Sequence, residues 1–582
     1  MYDLEMSKDN LRILKINHNG KEKYIGSYYN HKRDIDKFIK EIKDINDNSI
    51  IVTYGVMDGE HLLELCKEEY KNLKIIVFEK EEKLLRNIAN DKYYSRILEN
   101  NNIRVFKFDE EVVEKVFLME FTLGNVWNLQ IINNPLLFEY NNKEMIFISN
   151  CLKKFITHSV INLNTYKHFS ERWFETFIGN FDYCLNSTFL TDIKDCVKDK
   201  PAIILSAGPS LEKNINLLKE CKEKFFIISG GRTLSKLEEI NVKPDLCAII
   251  DGDEISYDIV KDNIKIDTPL VFCNATNEKI VQEHIGKKIY DSTGIDFISP
   301  IIKKNQRGLF GGGSVAHACI NTAINIGCNP IILIGQDLAY TNDKVHANFC
   351  ELTEDKYKHE EVLENIKSEN DIYVDDIYGN KVRTSKSLNM FRENIEKIVK
   401  NNPNVKFINA TEGGANIKGT EVITLKEAIS KYSLKENIEK NINLVETLSD
   451  NEKEIVIDEF NKTVEYLKEI KRKCNESIKL NKKIKKVYNR KDYEEYNIID
   501  KKMQKLEDEI NELYVKAHYI KTLVYPIVAH VEINDEWVWK DGESEEVQFE
   551  KLYDKTKFLY SSMEKKVDYA IKFIESERKT NE

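Results

Sequence analysis

Apolar and polar positions follow three successive rhythms along the chain. In residues 1 to about 190, short β-branched runs alternate with helical spacing. Ser49-Ile50-Ile51-Val52-Thr53-Tyr54-Gly55 is an apolar run that stops at glycine, and Leu62, Leu63 and Leu65 follow on a helix opened by Asp58-Gly59-Glu60. Leu73-Lys74-Ile75-Ile76-Val77-Phe78-Glu79 is a second such run, ending in an acid. This is the pattern of a βαβ unit. Phe155, Phe169, Trp173, Phe174 and Phe177 then recur at helical spacing and predict a core face or domain seam. Between about 198 and 425 the apolar runs become continuous, as in strands buried on both faces. Pro201–Ser206, Phe225–Ser229, Leu246–Ile250, Thr268–Cys273 and Asn329–Ile334 each give way to small or polar residues. From about 426 to 582 the chain holds a single glycine, Gly542, and alternates charge at helical spacing. Long helices are expected there.

These rhythms predict an α/β protein in three parts: an N-terminal α/β domain with a helical linker (1–190), a central Rossmann-like parallel-sheet domain (191–425), and a C-terminal α-helical domain (426–582). Composition narrows the class. The 582 residues are 41% hydrophobic and 32% charged, with a net charge of −11. The acidic balance argues against a general nucleic-acid binder, and no apolar stretch reaches the ~18 residues that span a bilayer. Eleven cysteines lie scattered without a CxxC pair, as in a reducing compartment. Met1-Tyr2-Asp3-Leu4-Glu5 lacks the basic and apolar regions of a signal peptide, so the expected location is the cytoplasm.

Chemistry concentrates at the ends of the central strands. After the first comes Ala207-Gly208-Pro209-Ser210-Leu211, where Gly208 permits a tight turn and Pro209 and Ser210 start a helix whose free amides suit a phosphate or a ribose. Gly230-Gly231-Arg232-Thr233, Asp251-Gly252-Asp253, Asn274-Ala275-Thr276 and Gly335-Gln336-Asp337 follow the next four. Ligands of open parallel sheets bind at such ends. Ser210, Arg232, Asp251, Asn274 and Asp337 are therefore expected around one crevice. Gly311-Gly312-Gly313-Ser314 opens an apolar helix, and three glycines in a row make sense where a ligand approaches the main chain. In the N-terminal part, Gly55-Val56-Met57-Asp58-Gly59 lacks GxGxxG, so a nucleotide pocket with Glu79 on a ribose is weakly supported beside a plain α/β scaffold. There is no HExxH, no tight His/Cys cluster and no P-loop. No metal or other cofactor is expected, although Asp251-Gly252-Asp253 resembles an acidic pair that could hold a divalent ion.

Gly-Pro-Ser-Leu, Gly-Gly-Arg-Thr, Lys-Pro-Asp with Asp251, Gly-Gly-Gly-Ser-Val-Ala, Gly-Gln-Asp-Leu-Ala-Tyr and Glu412-Gly413-Gly414-Ala415 together resemble the central domain of the Maf (motility-associated factor) proteins, flagellin glycosyltransferases that carry nonulosonic acids. More distantly, the strand-tip order is similar to bacterial sialyltransferases with a CMP-sugar donor. Ala207 departs from that pattern, where the sialyltransferases tend to place Asn. The resemblance implies transfer of a pseudaminic, legionaminic or sialic type sugar from CMP to Ser or Thr of flagellin, with inversion. It implies donor contacts at Gly208, Pro209, Ser210, Gly231, Arg232, Asn274, Gly312, Gly313, Ser314 and Gln336.

Such a transfer needs charge stabilisation on the leaving phosphate and a base for the acceptor hydroxyl. Tyr340 and Ser210 are candidate hydroxyls. His346 is the first candidate base, with His359, His317, Asp337 and Asp251 as rivals, and His317 reads as a core histidine. Residues 426–582, with their charged helix faces, are the candidate surface for flagellin. The same domain also resembles archaeal 6-hydroxymethylpterin pyrophosphokinases, which makes an ATP-using diphosphotransferase the alternative activity. A non-catalytic flagellin-binding protein is the third reading.

Overall fold

The computed structural model describes residues 2–581 apart from 19–20, 43–44, 46–48, 68–72, 123, 135, 305, 351–370 and 540–541. The chain forms two compact units, Met1–His168 with Tyr525–Leu559, and Phe169–Val524 with Tyr560–Glu582. Long helices contribute residues to both: Phe138–Leu185, Lys521–Ile533 and Glu545–Asn581 each cross a unit boundary. Among the described residues no helix is long and apolar enough to cross a membrane.

The first unit begins with three antiparallel strands, β1 (Tyr2–Met6), β2 (Arg12–His18) and β3 (Lys21–Tyr24), and a helix α1 (His31–Glu41). Its main sheet is parallel, β4 (Ile50–Tyr54), β5 (Lys74–Glu79), β6 (Ile103–Lys107) and β7 (Leu129–Ile132), in the order β6-β5-β4-β7. The β-branched run at 50–53 is buried on both faces, as its unbroken apolarity requires.

The second unit is built on nine parallel strands: β8 (Thr188–Phe189), β9 (Ala202–Leu205), β10 (Phe226–Gly230), β11 (Leu246–Ala248), β12 (Leu270–Cys273), β13 (Lys288–Asp291), β14 (Ile331–Ile334), and then β17 (Phe407–Asn409) and β18 (Glu421–Val422). Between the last two and β14 lies a separate antiparallel hairpin, β15 (Asp371–Asp375) and β16 (Lys381–Ser385). The sheet order is β18-β17-β14-β9-β10-β11-β12-β13-β8. From β9 the chain steps outward through β10 to β13, then returns so that β14 pairs the other side of β9. The order reverses there, which opens a crevice beyond the carboxyl ends of β9 and β14.

Side chains alternate across this sheet. Ile204, Ile228, Leu246, Val271 and Leu333 pack under helix α2 (Val315–Asn325) and helix α3 (Lys386–Asn401). Ile203, Leu205, Ile227, Ile332 and Ile334 pack on the opposite side. Toward β12 and β13 that opposite side is covered by the C-terminal helices. Val456, Phe460, Leu467, Tyr519 and Ile520 share one core with Phe174, Phe177, Phe272 and Phe297. The expected aromatic face is thus core for Phe174 and Phe177, with Phe177 stacked on Tyr519 at 5.5 Å.

Candidate active site

The crevice holds a cavity of about 280 Å³, at the small end of the range for small-molecule sites. Its walls come from Leu205–Gly208 after β9, Gly230–Thr233 after β10, Ile249 and Asp251 after β11, Ser314–Ala316 at the start of α2, and Gly335–Ala339 after β14. Ser256, Ile259 and Val260, Leu388 and Phe391 of α3, and Val345 and His346 complete the lining. Of the residues expected at the site, Gly208, Gly231, Arg232, Asp251, Ser314, Gln336, Asp337 and His346 lie on this cavity. Pro209, Ser210, Asn274, Gly312, Gly313 and Tyr340 are not part of its lining.

For Asn274, Ser210, Tyr340 and Gly312 the structure shows what engages them instead. Asn274 follows β12, three strands from β9, and at about 4.8 Å per strand its tip is too far from the reversal point. Its amide instead donates to Ile295 O at 2.6 Å, deep in the protein. Ser210 is fully buried, and its hydroxyl donates to Asp337 Oδ2 at 2.6 Å. Its amide also points at that carboxylate, at 3.3 Å. The residues from Pro209 to Lys213 form a five-residue 3-10 turn. The expected anion-binding helix start is therefore taken by the protein's own anion, Asp337. Tyr340 donates its amide to Arg383 O, and its ring lies under the Arg383 guanidinium, 4.8 Å away.

The glycines also resolve differently. Gly312 adopts φ +102°, and a Cβ there would fall 2.6 Å from the His317 ring. What approaches the main chain at Gly312 is the imidazole of His317. Gly208 and Gly335 allow the loops after β9 and β14 to touch, the Gly208 amide donating to Gly335 O at 2.9 Å. Gly414 brings the Glu412–Ala415 loop against the Asp337 backbone, whose carbonyl accepts from the Ala415 amide at 2.7 Å.

The two cavity carboxylates differ sharply. Asp337 is buried and serves as the acceptor for Ser210; burial pushes its pKa up. Asp251 is open to water through the cavity; its backbone carbonyl accepts from the Asn277 amide at 3.0 Å, but its carboxylate makes no hydrogen bond or ion pair among the described residues. Surrounding protein desolvates it from its other sides, and that burial, helped by Asp253, raises its pKa against the opposing pull of Arg232. Its turn is held from behind. Arg172 donates to Gly252 O at 2.7 Å, and the Asn277 side chain donates to Gly252 O and Asp253 O at 3.3 and 3.2 Å. Neither anchor carries a motif, so only the fold reveals them. Leu388 and Phe391 were equally hidden: the spacing of Leu388, Phe391, Ile395 and Val399 signals a helix, but not which cavity it covers.

At α2, Ser314 occupies the N-cap position, but its side chain bonds no helix amide. Its hydroxyl pairs with His317 Nδ1 at 2.6 Å, and His317 Nε2 lies 3.0 Å from Phe391 O. Val315 and Ala316, the first residues of α2, line the cavity, and their amides have no hydrogen-bond partner among the described residues. His317 is buried as expected. His346 lies half-buried on the cavity, and His359 falls outside the described residues. Among the described residues no cluster of three or more His, Cys, Asp or Glu side chains is placed to hold a metal.

The corresponding end of the first unit's sheet is filled. Glu79 is buried, and its carboxylate accepts from the amides of Val56 at 3.0 Å and Glu81 at 2.7 Å. It braces the turn after β4 and is not presented to a ribose.

Comparison with known proteins matches this architecture. Residues 175–343 fit the family model described as 6-hydroxymethylpterin diphosphokinase MptE-like. The chain is 28% identical over 160 residues to a 6-hydroxymethyl-7,8-dihydropterin pyrophosphokinase of Methanocaldococcus jannaschii, over 26% of this chain. That match spans 64% of the pyrophosphokinase's length. Among solved structures, the Maf glycosyltransferase from Magnetospirillum magneticum AMB-1 superimposes with a TM-score of 0.61 at 12% identity, covering 99% of this chain and 93% of that one. The chain thus has the fold of that Maf glycosyltransferase along nearly its whole length.

Proposed function

We propose that this chain is a Maf-type glycosyltransferase that moves a nonulosonic acid from a CMP donor to Ser or Thr of flagellin. The observation that carries the reading is the cavity at the strand-order reversal, which is lined both by an unpartnered carboxylate, Asp251, and by Val315 and Ala316, whose amides are uncapped. In the proposed step the acceptor oxygen bonds to the anomeric carbon and the bond from that carbon to the CMP phosphate oxygen breaks. CMP leaves with the electron pair, and the acceptor proton passes to Asp251. A single displacement of this kind inverts the anomeric centre. The Val315 and Ala316 amides and Arg232 meet the growing charge on the leaving group. A carboxylate with a raised pKa is a stronger base than an ordinary aspartate. His346 is the second base on the same cavity. Asp337 does not serve, because its oxygens hold Ser210.

The pyrophosphokinase reading places a nucleotide in the same cavity, and the match over residues 175–343 favours it. The full-length fold likeness, which includes the regions on both sides of that stretch, favours glycosyl transfer. Intact mass of flagellin co-expressed with the protein and a CMP-nonulosonate pathway tests the proposal. Unmodified flagellin, together with AMP formation from ATP and a hydroxymethylpterin, would replace it with the pyrophosphokinase reading.

A further inference from the structure

His317 has no part in the step above, yet the fold makes unusual provision for it. Gly312 lacks the Cβ that would overlap the imidazole. Phe391 packs edge-on against the ring at 5.8 Å, and the Asn394 amide donates to Gly312 O at 3.3 Å. Both ring nitrogens are engaged, and the chemistry of their partners fixes the proton. A backbone carbonyl can only accept, so Nε2 carries the hydrogen and donates to Phe391 O. Burial lowers the His317 pKa and keeps the ring neutral. Nδ1 is then the acceptor, and the Ser314 hydroxyl must donate to it. With its only proton committed inward, the Ser314 oxygen can only accept from the cavity side.

We propose that His317 is a positioning residue that fixes Ser314 as a hydrogen-bond acceptor on the cavity wall, so that Ser314 takes a hydroxyl of the bound CMP-sugar and not its phosphate. This rests on the nucleotide reading above and adds a polarity to it. The neighbouring Val315 and Ala316 amides supply donors, and Ser314 supplies the acceptor beside them. A hydroxyl-bearing edge of the ligand satisfies that arrangement, and a phosphate oxygen at Ser314 would face lone pairs. The hydroxyl can belong to the ribose or to the transferred sugar.

Titration calorimetry of the full-length protein separates these sources. One arm compares CMP with 2′-deoxyCMP and 3′-deoxyCMP; the other compares CMP with CMP-N-acetylneuraminate. Wild-type protein should prefer the hydroxyl-bearing ligand by about three- to tenfold in one arm, the worth of one uncharged hydrogen bond. Ser314→Ala and His317→Phe should abolish that preference. His317→Asn, whose side-chain oxygen can stand where Nδ1 stood, should retain it. A merely structural role for His317 would weaken all ligands equally and leave the ratio intact, which overturns the proposal. So does a preference that persists in Ser314→Ala. Absence of CMP binding by the wild-type protein overturns the nucleotide reading and this inference with it.

Discussion

Replacing Asp251 and Asp337 one at a time by asparagine should separate catalysis from construction. The Asp251 carboxylate has no partner to lose, is reached by water, and has its pKa raised by burial and by Asp253. A folded-state pKa raised above the unfolded value means that ionisation opposes folding at neutral pH. The opposition disappears as pH falls below the raised pKa toward the unfolded value of about 3.9. Asp251→Asn should therefore leave stability unchanged or raise it by under about 1 kcal/mol at pH 7.5, solvent screening keeping the gain small. Loss of a general base should cut turnover by about 10²–10⁴-fold, or roughly 3–5.5 kcal/mol of barrier. Asp337 is the converse case. Its carboxylate accepts from the Ser210 hydroxyl and faces the Ser210 amide. Asparagine can keep one acceptor, but its NH₂ must then sit near the Ser210 N–H. Hydrogen bonds to charged groups are worth about 1.5–3 kcal/mol, so Asp337→Asn should destabilise by about 2–4 kcal/mol and weaken CMP binding and turnover together. Urea unfolding gives the stabilities, and CMP release with flagellin gives the rates. If Asp251→Asn loses several kcal/mol of stability, or turns over at more than a tenth of the wild-type rate, Asp251 is not the base. A comparable rate loss in His346→Ala at full CMP affinity would then assign that role to His346.

Gly312→Ala puts a Cβ 2.6 Å from the His317 ring at φ +102°; it should cost about 2–4 kcal/mol by overpacking and backbone strain in urea unfolding, and a cost under 1 kcal/mol would refute the close packing. A chain ending near residue 425 removes Val456, Phe460, Leu467, Tyr519 and Ile520 from a core shared with Phe174, Phe177 and Phe297; at about 1.5–3 kcal/mol per large side chain it should aggregate, and a monodisperse product by size-exclusion chromatography would show the tail to be separable. In the first unit, burial lowers the His61 pKa to about 4. Burial also pulls His31 down, but Asp58, 2.9 Å away, with Asp34 and Asp9, outweighs it and raises the net value. The raised group loses its contribution as pH climbs through its folded pKa; the lowered one opposes folding as pH falls from about 6.5 toward about 4. Stability of this unit, read by hydrogen exchange of β4 and β5, should peak near pH 6.5, and His61→Phe should remove up to about 3 kcal/mol of the acid-side loss; an unchanged acid limb would refute the assignment.

The continuous apolar runs at 202–205, 226–228, 246–248, 270–273 and 331–334 were legible as strands because a strand buried on both faces admits no polar residue. β8 and β18, at two residues each, are too short for any pattern, and β13 is disguised by Lys287 and Lys288 at its start. Which tips share a crevice was less legible, because it depends on strand order. Asp251 and Asn274 look alike as polar residues after strands, yet the return of β14 to the flank of β9 brings one tip to the cavity and leaves the other behind. Gly312 shows a second limit: a glycine signals close approach, and the sequence does not say whether a ligand or the chain's own imidazole approaches. Ser210 shows a third. A helix start can look like an anion site until the fold delivers Asp337, 127 residues later, onto the same amide.

The two parallel sheets of this chain make the functional difference concrete. Each has glycine-containing turns and acidic residues at its carboxyl ends. In the first, Glu79 binds the amides of Val56 and Glu81, and His31 pairs with Asp58 in full burial. The Glu79 and Asp58 carboxylates both have partners within the protein, so they are stabilised without a ligand. In the second, Asp337 is used in the same structural way, but Asp251 stands unpartnered and the first amides of α2 have lost their serine cap to His317. An N-cap serine typically contributes about 1 kcal/mol, and an unpaired desolvated carboxylate adds a further cost. A fold that brings several such costs together around one cavity is arranged for a molecule that relieves them on binding. The relieving ligand must offer acceptors to amides and a guanidinium, a donor to Ser314, and a proton to Asp251. A nucleotide sugar meeting a hydroxyl acceptor supplies all three.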